Sequence, residues 1–251
     1  SLDYNSYLLK MDDEMEDTDL LQYGRFIGLR STHIPLQHIT HSQNFMGFDF
    51  YVTEDVLVPR QDTETLVEYC LDHLKKDGSI LDLCTGSGCI LLSILKLRPD
   101  VSGMGVDISA DALRVASKNA GLLEVDDRSI FMSGDLFSPL DNFSKNGNGP
   151  KFSMIVSNPP YIPTIEILGL DSEVKDHDPL IALDGGRDGL DFCRRIIDKS
   201  GDYLEDGGYL AMETGYDETD KVMSLMINRG YREVGSLKDM GNNPRIVFGM
   251  L

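Results

Sequence analysis

An apolar run, Ile155-Val156-Ser157, ends directly on Asn158-Pro159-Pro160-Tyr161. The two prolines fix the backbone, and neither carries an N–H. The Pro159 carbonyl is therefore expected to stand out as a rigid acceptor beside the Asn158 side-chain oxygen. Two acceptors side by side suit a planar –NH2 group. Each takes one hydrogen, and the nitrogen lone pair is left to face an electrophile. Tyr161 is expected to stack on a flat substrate or wall it in. A delocalised lone pair is a poor nucleophile, so orientation and charge stabilisation must supply most of the acceleration, with orientation worth up to about 7–11 kcal/mol. Asn-Pro-Pro is also a plausible turn after a strand, and it gains weight from what lies upstream.

Upstream, Ile80-Leu81-Asp82-Leu83-Cys84-Thr85-Gly86-Ser87-Gly88 reads as a buried strand running into a glycine turn and then a helix. Small residues there let the backbone approach a ligand beside a helix N-terminus. A dinucleotide fingerprint would place Gly or Ala third after Gly88, and Leu91 stands there instead. Asp82, ahead of the turn, suits the methionine portion of S-adenosylmethionine. Asp107, with Ile108 beside it, ends the next apolar run 19 residues beyond Gly88. An acid there can accept both ribose hydroxyls, while Ser109 caps the following helix. Asp135 and Leu136 follow a third run, and are expected at the adenine, the acid accepting its amino group and the leucine packing on its ring. The predicted cofactor is S-adenosyl-L-methionine, leaving as S-adenosyl-L-homocysteine, and Asn158 borders it.

These residues need elements to hold them. Strands are predicted at 79–83, 103–108, 129–132 and 154–157, with helices at 89–97 and 110–120 separating the first three. This rhythm means an α/β fold with a doubly wound, mostly parallel sheet. Asp62 or Thr63 should cap a helix through residue 73. Farther on, a helix over 188–204, a strand over 208–213, a helix over 217–228 and closing strands over 231–237 and 245–251 complete a seven-stranded sheet of the S-adenosylmethionine-dependent methyltransferase type. Phe48, Phe50, Val52 and Val56 suggest a short β-hairpin over 47–57. Residues 11–19 carry six acids and read as a solvated helix or linker. Residues 142–151 read as a surface loop. The division expected is a short acidic N-terminal segment (1–29), a linker with the hairpin (30–58) and a catalytic domain (59–251).

Composition narrows the partners. With 42 acids against 23 bases, the formal charge is −19, which disfavours a polyanion and attracts a basic partner. No run approaches 18 apolar residues, so no membrane span is expected. The start, Ser1-Leu2-Asp3, lacks a basic and apolar leader, so no export signal is read, and a Ser in place of Met suggests processing. Four cysteines without a C-x-x-C pair read as reduced thiols in a cytoplasmic protein.

Three further segments resemble a known family. Val56-Leu57-Val58-Pro59-Arg60-Gln61-Asp62-Thr63-Glu64 is similar to the signature ahead of the catalytic domain in the HemK-like peptide-chain release factor glutamine methyltransferases. Pro35-Leu36-Gln37-His38-Ile39-Thr40 resembles that family's linker. The segment Asp178-Pro179-Leu180 through Asp188-Gly189-Leu190 resembles its loop after the catalytic motif. The resemblance runs from about Arg30 to the C-terminus. It implies methylation of the glutamine side-chain amide in a release factor's Gly-Gly-Gln motif, with Pro59, Arg60, Thr63 and Glu64 on the substrate side. Two departures stand out. Members usually carry a helical domain of several dozen residues before the linker, whereas only about 29 residues precede Arg30 here. His41 stands where the family commonly has Gly.

The alternative is an adenine amino-group methyltransferase acting on DNA or RNA, which would share the fold, cofactor and clamp but should show a basic groove. His38 and His41 lack Cys or carboxylate company, so no metal is expected. Asp171, Glu173, Asp176 and Asp178 read as a solvated acidic loop along a basic substrate's path, with no direct nucleic-acid or membrane contact expected.

Overall fold

The computed structural model describes residues 4–144 and 149–251. Within the expected 142–151 loop, residues 145–148 lie outside that range, as do Ser1, Leu2 and Asp3.

The N-terminal segment forms two helices, α1 (Tyr4–Lys10) and α2 (Asp17–Arg30), and α2 buries none of its residues. A third, α3 (Leu36–Thr40), ends on His41 at φ 55°. That is left-handed backbone of the kind a Gly takes up freely, and His41 adopts it despite its Cβ. The hairpin lies earlier than expected, as β1 (Gln43–Phe45) and β2 (Phe48–Phe50). Its turn is Met46-Gly47, both at positive φ (53° and 79°), which matches the twist of a two-residue hairpin connection. Val52 and Val56 continue the apolar alternation without a strand partner, because they pack on Ala112 and Val115 of a helix instead.

After α4 (Glu64–His73) the chain alternates β3 (Ser79–Leu83), α5 (Cys89–Leu97), β4 (Ser102–Asp107), α6 (Ala110–Leu122), β5 (Ser129–Ser133), the short α7 (Asp141–Ser144) and β6 (Phe152–Ser157). Two short helices, α8 (Ser172–Lys175) and α9 (Leu180–Leu183), lead to α10 (Asp191–Ser200), β7 (Leu204–Glu213), α11 (Thr219–Arg229), β8 (Arg232–Lys238) and β9 (Pro244–Met250). The helix expected over 188–204 is shorter, and β7 begins earlier than 208. Gly207, at φ 71°, lies where the β6–β7 register shifts, so the irregularity hid the first half of the strand.

The seven strands lie in the order β5-β4-β3-β6-β7-β9-β8, with β9 antiparallel to both neighbours and the rest parallel. Side chains alternate between the faces. Ile80 joins Leu66 and Leu91 on one side, and Leu81 and Leu83 join Ile196 and Val222 on the other. Strand order reverses between β3 and β6, the crevice where doubly wound sheets bind ligands. Leu83 is level with both Val106 and Ser157, Ser157 with Met212, and Asp107 with Ser133. One step on, Cys84, Asp107, Asn158, Glu213 and Gly134 therefore share one edge of the sheet.

Candidate active site

A cavity of about 240 Å³ opens along that edge. Its floor is the turn after β3. Cys84 leaves the strand in the left-handed region (φ 58°) and Gly86 follows at φ 55°; such backbone costs a non-glycine residue about 1–3 kcal/mol and clusters at functional sites. A Cβ on Gly86 would meet no protein atom within 4 Å, so the space before it is cavity. Thr85 and Ser87 line it as well. The turn is stitched from behind by Asn119 of α6. Its Nδ2 donates to the Ser87 carbonyl (2.9 Å) and its Oδ1 accepts from the Tyr51 N–H (2.8 Å). Nothing in the spacing marked Asn119, since its partners are two backbones distant in sequence.

Asp107 is held by two amides. Oδ2 accepts from the Gly86 N–H at 2.8 Å and Oδ1 from the Ser109 N–H at 2.9 Å. Ser109 caps α6 as expected, its hydroxyl accepting from the Ala112 N–H at 3.1 Å. Burial raises the Asp107 pKa, and these backbone donors oppose the rise. Each oxygen keeps a lone pair for a ligand hydroxyl. Ile108 stands beside it at the rim, half exposed.

At the far end Leu136 is buried at φ 50°, and Asp135 Oδ2 accepts from Arg195 at 2.6 Å. Arg195 and Phe192 reach this corner from α10, the guanidinium 5.7 Å from the ring centroid. Sequence reading missed both, because a helix across the sheet carries no local mark of what it covers.

Asn158 lines the opposite part, with Pro160 next to it. Its Nδ2 donates to the Thr63 hydroxyl at 3.4 Å, and that hydroxyl donates to Glu213 Oε2 at 2.6 Å. Tyr161 does not line the cavity; its phenol donates to Glu213 Oε1 at 3.1 Å. Pro159 is buried behind Pro160 and is likewise absent from the wall.

Asp82 also lies outside the wall. The alternation of β3 turns it to the Ile80 face, where it is fully buried and its Oδ2 accepts from the Thr85 hydroxyl at 2.6 Å. Thr85 thus stands between Asp82 and the ligand space. Gly88 serves packing, as a Cβ there would meet Leu92 at 2.8 Å. Glu64 does not line the cavity either: its Oε1 accepts from the Met46 N–H at 2.6 Å and secures the hairpin turn. Nor does Thr63 cap α4, because its hydroxyl serves Glu213.

Pro59, Arg60, Pro179, Ile181 and Ala182 close the cavity from outside. Asp178 departs from the solvated loop expected of it. Its side chain is fully buried against Arg60, and Glu173 pairs with Arg30. The glycines of that loop allow close packing, since a Cβ on Gly185 would meet the Tyr161 backbone at 2.7 Å.

All four cysteines are free thiols. Cys84 and Cys89 line the cavity, and burial pushes the Cys89 thiol up to about 12. Among the described residues no group of three or more metal-ligating side chains occurs, and no helix is long and apolar enough to cross a membrane.

The cavity fits S-adenosylmethionine. Small residues and left-handed backbone leave room at one end, an amide-held carboxylate stands in the middle, and an apolar corner with a carboxylate lies at the other. Residues 61–167 match the family model described as Methyltransferase small domain. The release factor glutamine methyltransferase of Clostridium acetobutylicum is 41% identical over 257 residues, covering 98% of this chain and 88% of the relative. That of Geobacter sulfurreducens is 35% identical over 250 residues, covering 100% of this chain and 85% of the relative. Among solved structures, a methyltransferase from Pyrococcus furiosus superposes with a TM-score of 0.60 at 15% identity, over 90% of this chain and 98% of that one. A methyltransferase complexed with SAH gives 0.57 at 10% identity, over 82% and 54%. At such identities the likeness shows the fold.

Proposed function

Because the chain belongs to the release factor glutamine methyltransferase family, we propose that it transfers a methyl group from S-adenosylmethionine to the side-chain amide nitrogen of the glutamine in a release factor's Gly-Gly-Gln motif. The carrying observation is that Asn158, its amide nitrogen occupied by Thr63, opens on the same cavity as the amide-held Asp107. Bound S-adenosylmethionine supplies an electrophilic methyl on a sulfonium. Asp107 holds its ribose hydroxyls, the Cys84–Gly86 turn receives the methionine end, and Asp135, Leu136 and Ile108 surround the adenine. Asp82 supports Thr85 from behind.

Asn158 Oδ1 accepts one hydrogen of the glutamine carboxamide, aiming the nitrogen lone pair into the cavity. Asn158 would hold the carboxamide nitrogen toward the methyl that bound S-adenosylmethionine would supply; the N–C bond gained replaces the S–C bond lost, and the displaced amide proton would pass to water at the cavity mouth. Pro59, Arg60 and the Pro179–Ala182 wall exclude water, which strengthens each of these contacts. The catalytic domain spans 59–251, behind a linker (30–58) and an N-terminal segment (1–29), and the family match begins at residue 61 in support. The −19 charge favours a basic protein partner, and a substrate that works on ribosomes supports a cytoplasmic location.

The test is tritiated methyl incorporation into a release factor, its Gln-to-Ala variant in Gly-Gly-Gln, duplex DNA and structured RNA. Label on the wild-type factor alone is expected. Label on nucleic acid, or persisting on the variant, overturns the proposal.

A further inference from the structure

We propose that Glu213 is a positioning residue that sets, through the Thr63 hydroxyl, which end of the Asn158 carboxamide faces the substrate. This deepens the proposed function and rests on it. Glu213 and Thr63 are both 2% exposed, so each finds its partners chiefly within the protein. An ionised carboxylate only accepts. The single proton of Thr63 therefore goes to Glu213 Oε2 at 2.6 Å, and only lone pairs remain on that hydroxyl for Asn158. Asn158 must answer with its donor end, as found at 3.4 Å. A carboxamide has nearly the same shape when turned over, so packing alone separates the two orientations poorly. The directed chain Asn158 to Thr63 to Glu213 separates them and leaves Oδ1 to the cavity. The other oxygen of Glu213 accepts from the Tyr161 phenol at 3.1 Å. One carboxylate thus orients both polar ends of the Asn158–Tyr161 motif. Burial raises the Glu213 pKa, and the two hydroxyl donors and the nearby Arg245 guanidinium oppose that rise and favour the charged form. Arg245 is itself held at 3.2 Å by Asp239.

Glu213→Gln inverts the chain without changing its shape. The new amide can donate to Thr63, whose proton then turns to Asn158 and draws Oδ1 away from the substrate. Turnover of the release factor is expected to fall about 10²-fold, in the range for losing an oriented polar group at a reacting centre, with homocysteine-cofactor affinity by calorimetry held within about threefold. The discriminating variant is Glu213→Gln combined with Thr63→Val. With no hydroxyl to hold Asn158 the wrong way, the double variant is expected to turn over at least fivefold faster than Glu213→Gln alone, which a merely structural role would not produce. A double variant no faster than the single one, or a Glu213→Gln enzyme within twofold of wild type, overturns the inference. Should Glu213→Gln fail to fold, Thr63→Ser against Thr63→Val decides. Serine keeps the relay and is expected to be at least fivefold faster; equal rates overturn it. Wild-type label on nucleic acid would instead remove the substrate reading, a separate and visible failure.

Discussion

Arg60 reaches across 118 residues of sequence to donate to Asp178 Oδ2 at 2.9 Å, tying the segment before α4 to the loop that follows Tyr161. The pair is lopsided: the Arg60 side chain is 47% exposed and that of Asp178 fully buried. Among the described residues the other oxygen of Asp178 makes no hydrogen bond of ordinary geometry, although the Val58 backbone lies close enough to favour the charge. Burial raises the carboxyl's pKa, and the guanidinium opposes it. Arg60→Ala should therefore destabilise more than Asp178→Asn, by about 1–3 kcal/mol, because only the first leaves a buried charge unpaired. Chemical denaturation of both variants checks this, and equal losses would contradict it.

Removing the Asp107 carboxylate should weaken the cofactor. With Gly86 and Ser109 amides fixing both oxygens, Asp107→Ala loses charged acceptors that are already oriented, worth about 1.5–3 kcal/mol. Calorimetry with S-adenosylmethionine measures it. Unchanged affinity in a folded variant would remove the ribose assignment.

Asn158→Ala should separate chemistry from cofactor binding. Turnover is expected to fall about 10²–10³-fold while cofactor affinity changes only a few fold, by analogy with losing an oriented donor or acceptor at a reacting centre. Equal turnover by variant and wild type would end this role for Asn158.

Asp82 makes stability depend on pH. It is fully buried, with the Thr85 hydroxyl on one oxygen and, among the described residues, no hydrogen bond of ordinary geometry to the other. Burial pushes its pKa up to about 7, with the Thr85 hydroxyl opposing; an unfolded Asp titrates near about 3.9. The folded state therefore holds the proton more tightly, and this contribution is complete below about pH 4 and lost as pH rises toward 7, by about 1.4 kcal/mol per pH unit. Asp82→Asn removes that slope. Between pH 5 and 7 the wild-type melting temperature should fall relative to the variant's; parallel curves would show the carboxyl is not what titrates.

Strand endings were the most legible features, because apolar runs bounded by Gly, Asp or Pro carry their own signal. That signal located Asp107, Asn158 and the Cys84–Gly86 turn, all of which meet on the cavity. It could not show which face of β3 takes Asp82, since a strand buried on both sides lacks the polar alternation that would tell. It also missed Glu213, Arg195 and Asn119. Each acts across the sheet or from a neighbouring layer, on partners 150, 60 and 68 residues away. Glu64 and Thr63 were conspicuous in sequence, yet one secures a turn and the other serves Glu213.

The place of β9 between β7 and β8 has a consequence for the order of assembly. A growing chain completes β7 well before β9, and β8 pairs only with β9. The outer edge of β7, the strand that ends on Glu213, therefore stays without its neighbour until residues 244–250 have been made. The edge beside Glu213 is thus completed by a strand that begins 31 residues later in the chain.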